Sequence, residues 1–480
     1  MDYLIRFLQV HETFRQPETE ALARLAGVQF EWIFYADDSP YSIIRFLDCS
    51  DPTAAAEALI SRSILSTGIF ELWGTGIDYD ALHHDIRART EALWPRFTNE
   101  TFRFKLDIFH SSHTLTEHRA IIETFKYMAF TGPIQMKNPT NKFDVFEDHE
   151  LDGPIPRRLF FGRQVAESGR RAMNKYDLKK RSYIATTSMD AELSLVTANL
   201  GQVAPGTLMY DPFMGTGSFP LACAHFGAVV FGSDLDGRSI RGNKPGRNVK
   251  GNFEQYATSS QYLGGFVADL TNSPVRQKRI LQAIVCDPPY GVREGLKVLG
   301  STRAALQEVV YLADSGLPAH LQPNYVPPKK AYSFFRMLDD ILHFAAERLE
   351  DDGRLCMWMP VAGEVEGEEA AVVVPEPGAD VTAAGGAREY DIPRHPALRL
   401  VSVCTQDFNK WSRQLLTYRR VGDGEVDGEE LLGYETGRLA LQSGNGVGSG
   451  ATANELNEFR KKASLTAWWW FTVGSYADKV

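Results

Sequence analysis

Leu208-Met209-Tyr210-Asp211-Pro212-Phe213-Met214-Gly215-Thr216-Gly217-Ser218 decides the fold. The apolar lead-in reads as a buried strand and Asp211 ends it. A glycine-rich turn follows, and Phe219 to Ala224 begin a helix of small residues. Glycine lets the backbone pass close to a ligand and present N–H groups to its carboxylate. A lone G-x-G is explained by a tight turn about as often as by a ligand, so the reading rests on what comes next. Val229-Val230-Phe231-Gly232-Ser233-Asp234 is a strand ending in an acid. It lies roughly 20 residues after the glycines, where α/β folds place the carboxylate that holds ribose hydroxyls. Gly265-Phe266-Val267-Ala268-Asp269 supplies another strand-end acid, suited to an adenine amino group. The apolar run Ala283-Ile284-Val285-Cys286 then leads into Asp287-Pro288-Pro289-Tyr290. The expected architecture is an α/β doubly wound sheet carrying its site at the strand carboxyl ends.

The tetrad has its own chemistry. The Asp287 carboxylate and a carbonyl of the rigid Pro288-Pro289 turn can accept both N–H bonds of an exocyclic amine, while Tyr290 stacks on the ring that carries it. The four strand ends, in this order, resemble a class I S-adenosylmethionine-dependent methyltransferase. That resemblance implies Asp211, Phe213, Gly215 and Gly217 toward the methionine end of the cofactor, Asp234 on the ribose and Asp269 on the adenine. Thr187, just before the helix Ala191 to Asn199 that Ser188 or Asp190 would cap, joins the cofactor-binding set. The same tetrad serves N6-adenine methylation of RNA or DNA, and a version beginning with Asn serves glutamine methylation of proteins. A non-catalytic tRNA-binding scaffold would be expected to lack the glycines or the tetrad acid, and this chain keeps them.

Composition sets the outer limits. The 480 residues, 44% hydrophobic and 23% charged, fit a soluble globular protein of two or three domains. No run approaches a membrane span and Met1-Asp2-Tyr3-Leu4 has no basic leader, so no membrane association and a cytoplasmic location are expected, with the nucleus the other compartment this permits. Cys49, Cys223, Cys286, Cys356 and Cys404 lack C-x-x-C pairing and read as buried free thiols. No metal site is expected; His83-His84 and His110/His113 read as solvated surface. The net charge of −10 is local: residues 363–394 hold eight acids against two arginines, and 421–430 add five more acids. Both stretches read as solvated insertions. The opposite bias lies at Arg157, Arg158, Arg163, Arg170, Arg171, Lys175, Lys179, Lys180 and Arg181, read either as a solvated linker helix or, with the RNA acceptor that the resemblance below implies, as a phosphate-contacting element between domains.

Ahead of the catalytic part, strand-helix-strand-strand-helix over residues 1–62 suggests a ferredoxin-like α+β module. A second mixed region occupies 63–165, with strands near 69–73, 101–107 and 142–146 and helices at 79–92 and 116–128. A basic linker at 166–185 joins these to a catalytic domain at 186–425, with an antiparallel hairpin at the sheet's end and the acidic insertion 363–394 in a connection. Residues 426–480, with Trp468-Trp469-Trp470-Phe471, carry no physical account.

Lys179 to Asp190, Asp211 to Ser218, Ala222 to Ala228, Gly232 to Asp236 and Asp287 to Glu294 together resemble the eukaryotic tRNA guanosine-10 N2-methyltransferase family. The resemblance runs to about residue 420 and is most specific at 179–295. It implies methyl transfer from S-adenosylmethionine to guanine N2 in tRNA, with Asp287, Pro288, Pro289 and Tyr290 catalytic. It also implies that 63–165 is a THUMP-like RNA-binding domain. The implied partner is a small zinc-binding activator protein, forming a heterodimer by adding a strand to the sheet edge of the catalytic domain.

Overall fold

The structure is a computed structural model that describes residues 1–442 except 152, 292–295, 302, 323–324, 363–391 and 409–410. Most of the acidic insertion and the Trp468–Phe471 segment therefore lie outside the described residues. The chain forms two compact units, residues 1–177 and 178–480.

The first unit runs β1 (Tyr3–Phe7), α1 (Glu12–Ala26), β2 (Gln29–Phe34), β3 (Tyr41–Leu47), α2 (Pro52–Ile60) and β4 (Ser66–Gly76). It continues with α3 (Tyr79–Thr90), β5 (Phe102–Phe109), α4 (Leu115–Glu123), β6 (Asn141–His149), β7 (Pro156–Glu167) and α5 (Arg171–Tyr176). All seven strands share one mixed sheet in the order β2-β3-β1-β4-β7-β6-β5. The two modules expected from sequence are thus joined edge to edge: β4 pairs antiparallel with β1 on one side and β7 on the other. Local chemistry sets the helix starts. Asp51 caps α2 ahead of Pro52, and Thr114 with Glu117 forms a capping box on α4. The core beyond β4 is aromatic, with Trp73, Phe143 and Phe161 fully buried and the Phe143 and Phe161 rings stacked at 5.9 Å.

The sequence expectation of a linker at 166–185 is corrected at its start. Pro156–Glu167 is a twelve-residue strand with Leu159, Phe160 and Phe161 buried, and arginines flanking that apolar run mask it in a composition reading.

The second unit runs α6 (Ala191–Leu200), β8 (Leu208–Asp211), α7 (Ser218–His225), β9 (Val229–Asp234), α8 (Gly237–Arg241), α9 (Val249–Gln255), β10 (Tyr262–Val267) and β11 (Leu281–Cys286). After these come β12 (Lys297–Leu299), β13 (Lys329–Ala331), α10 (Phe334–Arg348), β14 (Leu349–Ala362), β15 (Leu398–Phe408), β16 (Trp411–Arg420) and α11 (Gly428–Gln442). The sheet order is β10-β9-β8-β11-β14-β16-β15. The first five strands are parallel, and β16 is antiparallel to both β14 and β15. Chain order reverses between β8 and β11, so the crevice at their carboxyl ends is where an open α/β sheet binds its ligand. The amphipathic α10 packs Met337, Leu338, Ile341 and Phe344 onto the sheet, and the Phe344 ring stacks on Tyr210 at 5.6 Å.

Candidate active site

Asp211 ends β8 buried at 1% exposure, its Oδ1 accepting the Phe213 N–H at 2.9 Å. The chain then turns through Gly215 (φ 49°) and Gly217 (φ 83°), left-handed positions that L side chains occupy only under strain. At Gly217 a Cβ would also approach Val249 to 3.1 Å. Asp234, at the end of β9, ties the turn down: its oxygens accept the N–H groups of Gly215 at 2.9 Å and Asp236 at 2.7 Å. Asp269 is 7% exposed and also occupied within the fold. It accepts from Thr271, from the Asn272 N–H and from the Leu299 N–H at 2.7 Å, so it fastens β12 to the end of β10. A carboxylate has about four acceptor positions, so Asp234 keeps capacity for a ligand, whereas a ligand on Asp269 would displace the longer contacts that the Asn272 side-chain amide makes to it at 3.3 and 3.4 Å. Phe213 is partly buried against the α10 core. Thr187 is exposed, in a turn whose Ser188 hydroxyl meets the Thr216 hydroxyl at 2.7 Å. Asp190, not Ser188, caps α6 through the Leu193 N–H.

Burial raises Asp211 well above the ordinary carboxylate range, and the neighbouring Asp234 and Asp287 push it further. Burial also raises Asp234 and Asp287. Three carboxyl groups held this way favour a cation in their midst. S-adenosylmethionine fits both features: the turn leaves room for backbone N–H groups to approach its carboxylate, and its ammonium and sulfonium charges relieve the acids.

The tetrad stands at the end of β11. Pro288 is buried, Pro289 exposed, and Gly291 (φ 74°) turns the chain away. Asp287 Oδ1 and the Tyr290 hydroxyl are both inaccessible to solvent and make no hydrogen bond of good geometry among the described residues. The two groups lie close enough for the hydroxyl to oppose the rise that burial gives the Asp287 carboxyl, and Arg413 stands beside both. Buried polar atoms are nearly always satisfied, so acceptor and donor capacity is left here for a ligand.

The structure adds a wall that sequence reasoning missed. The Tyr290 ring meets Trp411 edge-on at 6.3 Å, and Trp411 stacks on Phe408 at 4.5 Å. The Arg413 guanidinium lies 4.6 Å from the Trp358 ring and is oriented by Gln406 at 2.6 Å; burial raises Asp287, and the Tyr290 hydroxyl first and Arg413 second draw it back down. Phe408, Trp411 and Arg413 belong to the β15–β16 hairpin. The sequence reading placed its second strand at 414–418, beginning just past the Trp-x-Arg signal.

The basic residues are distributed differently from the single element expected. Arg157 pairs with Asp38 at 2.6 Å and Asp148 at 3.1 Å, Arg158 pairs with Asp148, and Arg163 grips Glu71 with two bonds. Their charge is answered within the sheet. Arg170 donates to the Ile64 carbonyl. Arg181 is 6% exposed and donates to the Ser218 hydroxyl at the start of α7, on the cofactor turn and not on the surface. Arg171, Lys175, Lys179 and Lys180 are exposed, Arg171 pairing with Glu167.

A doubly wound sheet of this topology, with acids at successive strand ends around a glycine turn, defines a class I S-adenosylmethionine-dependent methyltransferase. Comparison with known proteins takes this further. Residues 1–170 match the family described as "Tmrp11 THUMP N-terminal domain". The chain is 42% identical over 427 residues to tRNA (guanine(10)-N(2))-methyltransferase of Saccharomyces cerevisiae, spanning 87% of this chain and 92% of that protein. It is 32% identical over 438 residues to tRNA (guanine(10)-N(2))-methyltransferase TRMT11 of Homo sapiens, spanning 87% and 88%. Among solved structures, TrmN from Thermus thermophilus aligns at 16% identity and a TM-score of 0.42, over 88% of this chain and 100% of that one. The chain belongs to the tRNA (guanine(10)-N(2))-methyltransferase family.

Proposed function

We propose that this enzyme methylates the exocyclic N2 of a guanosine in tRNA, at position 10 as in its named relatives, working as the catalytic subunit of a heterodimer in the cytoplasm. The observation that carries the reading is the buried pair Asp287 and Tyr290 at the carboxyl end of β11, whose Oδ1 and hydroxyl make no hydrogen bond of good geometry among the described residues. When bound, the cofactor supplies an activated methyl group on sulfur. The protein's task is then orientation. Asp287 and the Pro288 carbonyl accept the N–H bonds of the guanine amine and aim its lone pair, and Tyr290 stacks the base. As the N–C bond forms, the methyl–sulfur bond would break with its electron pair staying on sulfur, which leaves as a neutral thioether, and Asp287 would take the N2 proton. A target within folded tRNA has to be turned out of its stack to reach this crevice. Asp211, Gly215 and Gly217 hold the methionine end, Asp234 the ribose and Asp269 the adenine.

The tRNA is gripped through the N-terminal unit, residues 63–165 acting as the THUMP-like part, with the exposed Arg171, Lys175, Lys179 and Lys180 adding phosphate contacts. A small zinc-binding activator adds a strand at the β10 edge. Leu263 and Val267 are exposed there, at 66% and 49%, beside a 300 Å³ apolar cavity lined by Leu208, Phe231 and Phe266. Among the described residues no helix is long and apolar enough to cross a membrane.

The test is transfer of labelled methyl to bulk tRNA with and without the activator, followed by nucleoside analysis. Label in N2-methylguanosine supports the proposal. Label in N6-methyladenosine, or in protein, overturns the substrate while leaving the cofactor chemistry standing.

A further inference from the structure

In the N-terminal unit, far in sequence from the methyl-transfer motifs, three side chains converge. Glu147 and His149 stand two apart on β6, which places both on the same face of the strand. His113 reaches them from the loop between β5 and α4. Glu147 and His149 are each 1% exposed, whereas His113 is 22% exposed. The Nε2 atoms of His113 and His149 each lie 2.8 Å from the same oxygen, Glu147 Oε2.

His149 Nδ1 lies 3.1 Å from the Gly153 carbonyl, which leaves Nε2 as the nitrogen turned toward Glu147. The ring's other nitrogen is fixed on a backbone carbonyl, the arrangement that orients metal-binding imidazoles. The Tyr79 hydroxyl, at the start of α3, orients the carboxylate from its other oxygen.

We propose that His113, Glu147 and His149 bind a divalent metal ion of the zinc type. Two imidazoles and one carboxylate suit zinc-like ions and fit poorly with magnesium or calcium, which prefer all-oxygen shells. The ligand-bearing atoms lie within 4.8 Å of one another, and three protein ligands leave a fourth position reachable by solvent from the exposed His113 side. The site joins the loop after β5 to β6, and through Tyr79 to α3, in a unit otherwise closed by aromatic packing.

The experiment uses the full chain purified without any zinc-carrying partner. Elemental analysis after exhaustive dialysis is expected to find about one zinc per chain. Stripping with chelator should lower the Tm of the first transition and zinc should restore it. Cobalt(II) added to the stripped protein should give the intense visible band of four-coordinate cobalt. His113→Gln, the least buried change, should lose the cobalt band and the chelator response. The wild-type measurements do not depend on any variant folding. Below about a tenth of an equivalent of zinc after loading, with no cobalt band and no chelator effect, the charge between these groups is protons alone and the proposal is overturned.

Discussion

Replacing Asp287 with alanine separates chemistry from cofactor binding. In the proposed mechanism Asp287 gives an acceptor to the amine that becomes more acidic as it attacks, so its bond strengthens toward the transition state. Removing a preorganised polar group of this kind in a closed site costs about 3–4 kcal/mol, or about 100- to 1000-fold in kcat. Cofactor affinity should stay within about threefold, because the proposed cofactor contacts lie on the glycine turn and on Asp234, which the Gly215 N–H ties to that turn from the end of β9. Stability should not fall. Asp287 Oδ1 is buried without a hydrogen bond of good geometry and burial raises the group's pKa, so its ionised form disfavours the fold as pH rises. The assay pairs single-turnover methyl transfer to tRNA with calorimetric titration of the cofactor and a thermal melt. A parallel collapse of cofactor binding would refute the assignment of roles. So would an alanine variant keeping more than about a tenth of the activity.

Three further expectations follow from the geometry. Arg413→Lys keeps the charge but gives up the planar stack on Trp358 and the fork held by Gln406, and should cut kcat/KM by about tenfold while leaving the Tm within a few degrees; wild-type kinetics would remove Arg413 from the site. Asp211 and Asp234 are raised by burial, so they stay protonated to higher pH than in the unfolded chain and destabilise the fold as pH rises through those raised values. A cationic cofactor lowers them again, so its binding should release protons and tighten with pH across that window; calorimetry in buffers of different ionisation heat reads the sign, and proton uptake would contradict it. Glu18→Gln places a donor where the fully buried carboxylate now accepts from Ser63, Ile64 and Leu65, and should destabilise the N-terminal unit by about 2–4 kcal/mol in urea while cofactor affinity is unchanged.

The placement of the residues proposed to hold the cofactor was legible because each element announces itself locally. A glycine with positive φ, an acid at a strand end and a proline pair are decided by a few neighbouring residues, and Asp211, Gly215, Gly217, Asp234 and Asp287 stand where those patterns predict. The strands of both sheets were largely readable from their apolar runs, with ends off by a few residues. What the sequence does not display depends on partners distant in the chain. The arginines of β7 look like a phosphate-binding face until Asp38, Glu71 and Asp148 are seen beside them. Arg181 looked solvent-facing but donates to Ser218. His113 reads as surface because Glu147 and His149 lie more than thirty residues further on. Arg413 and Trp411 gain meaning only when the hairpin brings them beside Tyr290.

The position of β4 in its sheet has a consequence during synthesis. β1, β2, β3 and β4 can pair as soon as they emerge, but β4 then shows a bare edge. Its other partner is β7, and Gly68 pairs with Glu167, about a hundred residues later, a separation that slows closure. On the ribosome, that edge waits for seconds at ordinary elongation rates of about 5–20 residues per second. Nascent chains crowded on one messenger could cross-pair through it. A chaperone that shields extended strands, or slower translation before β7, would then govern how much of this enzyme reaches its folded form.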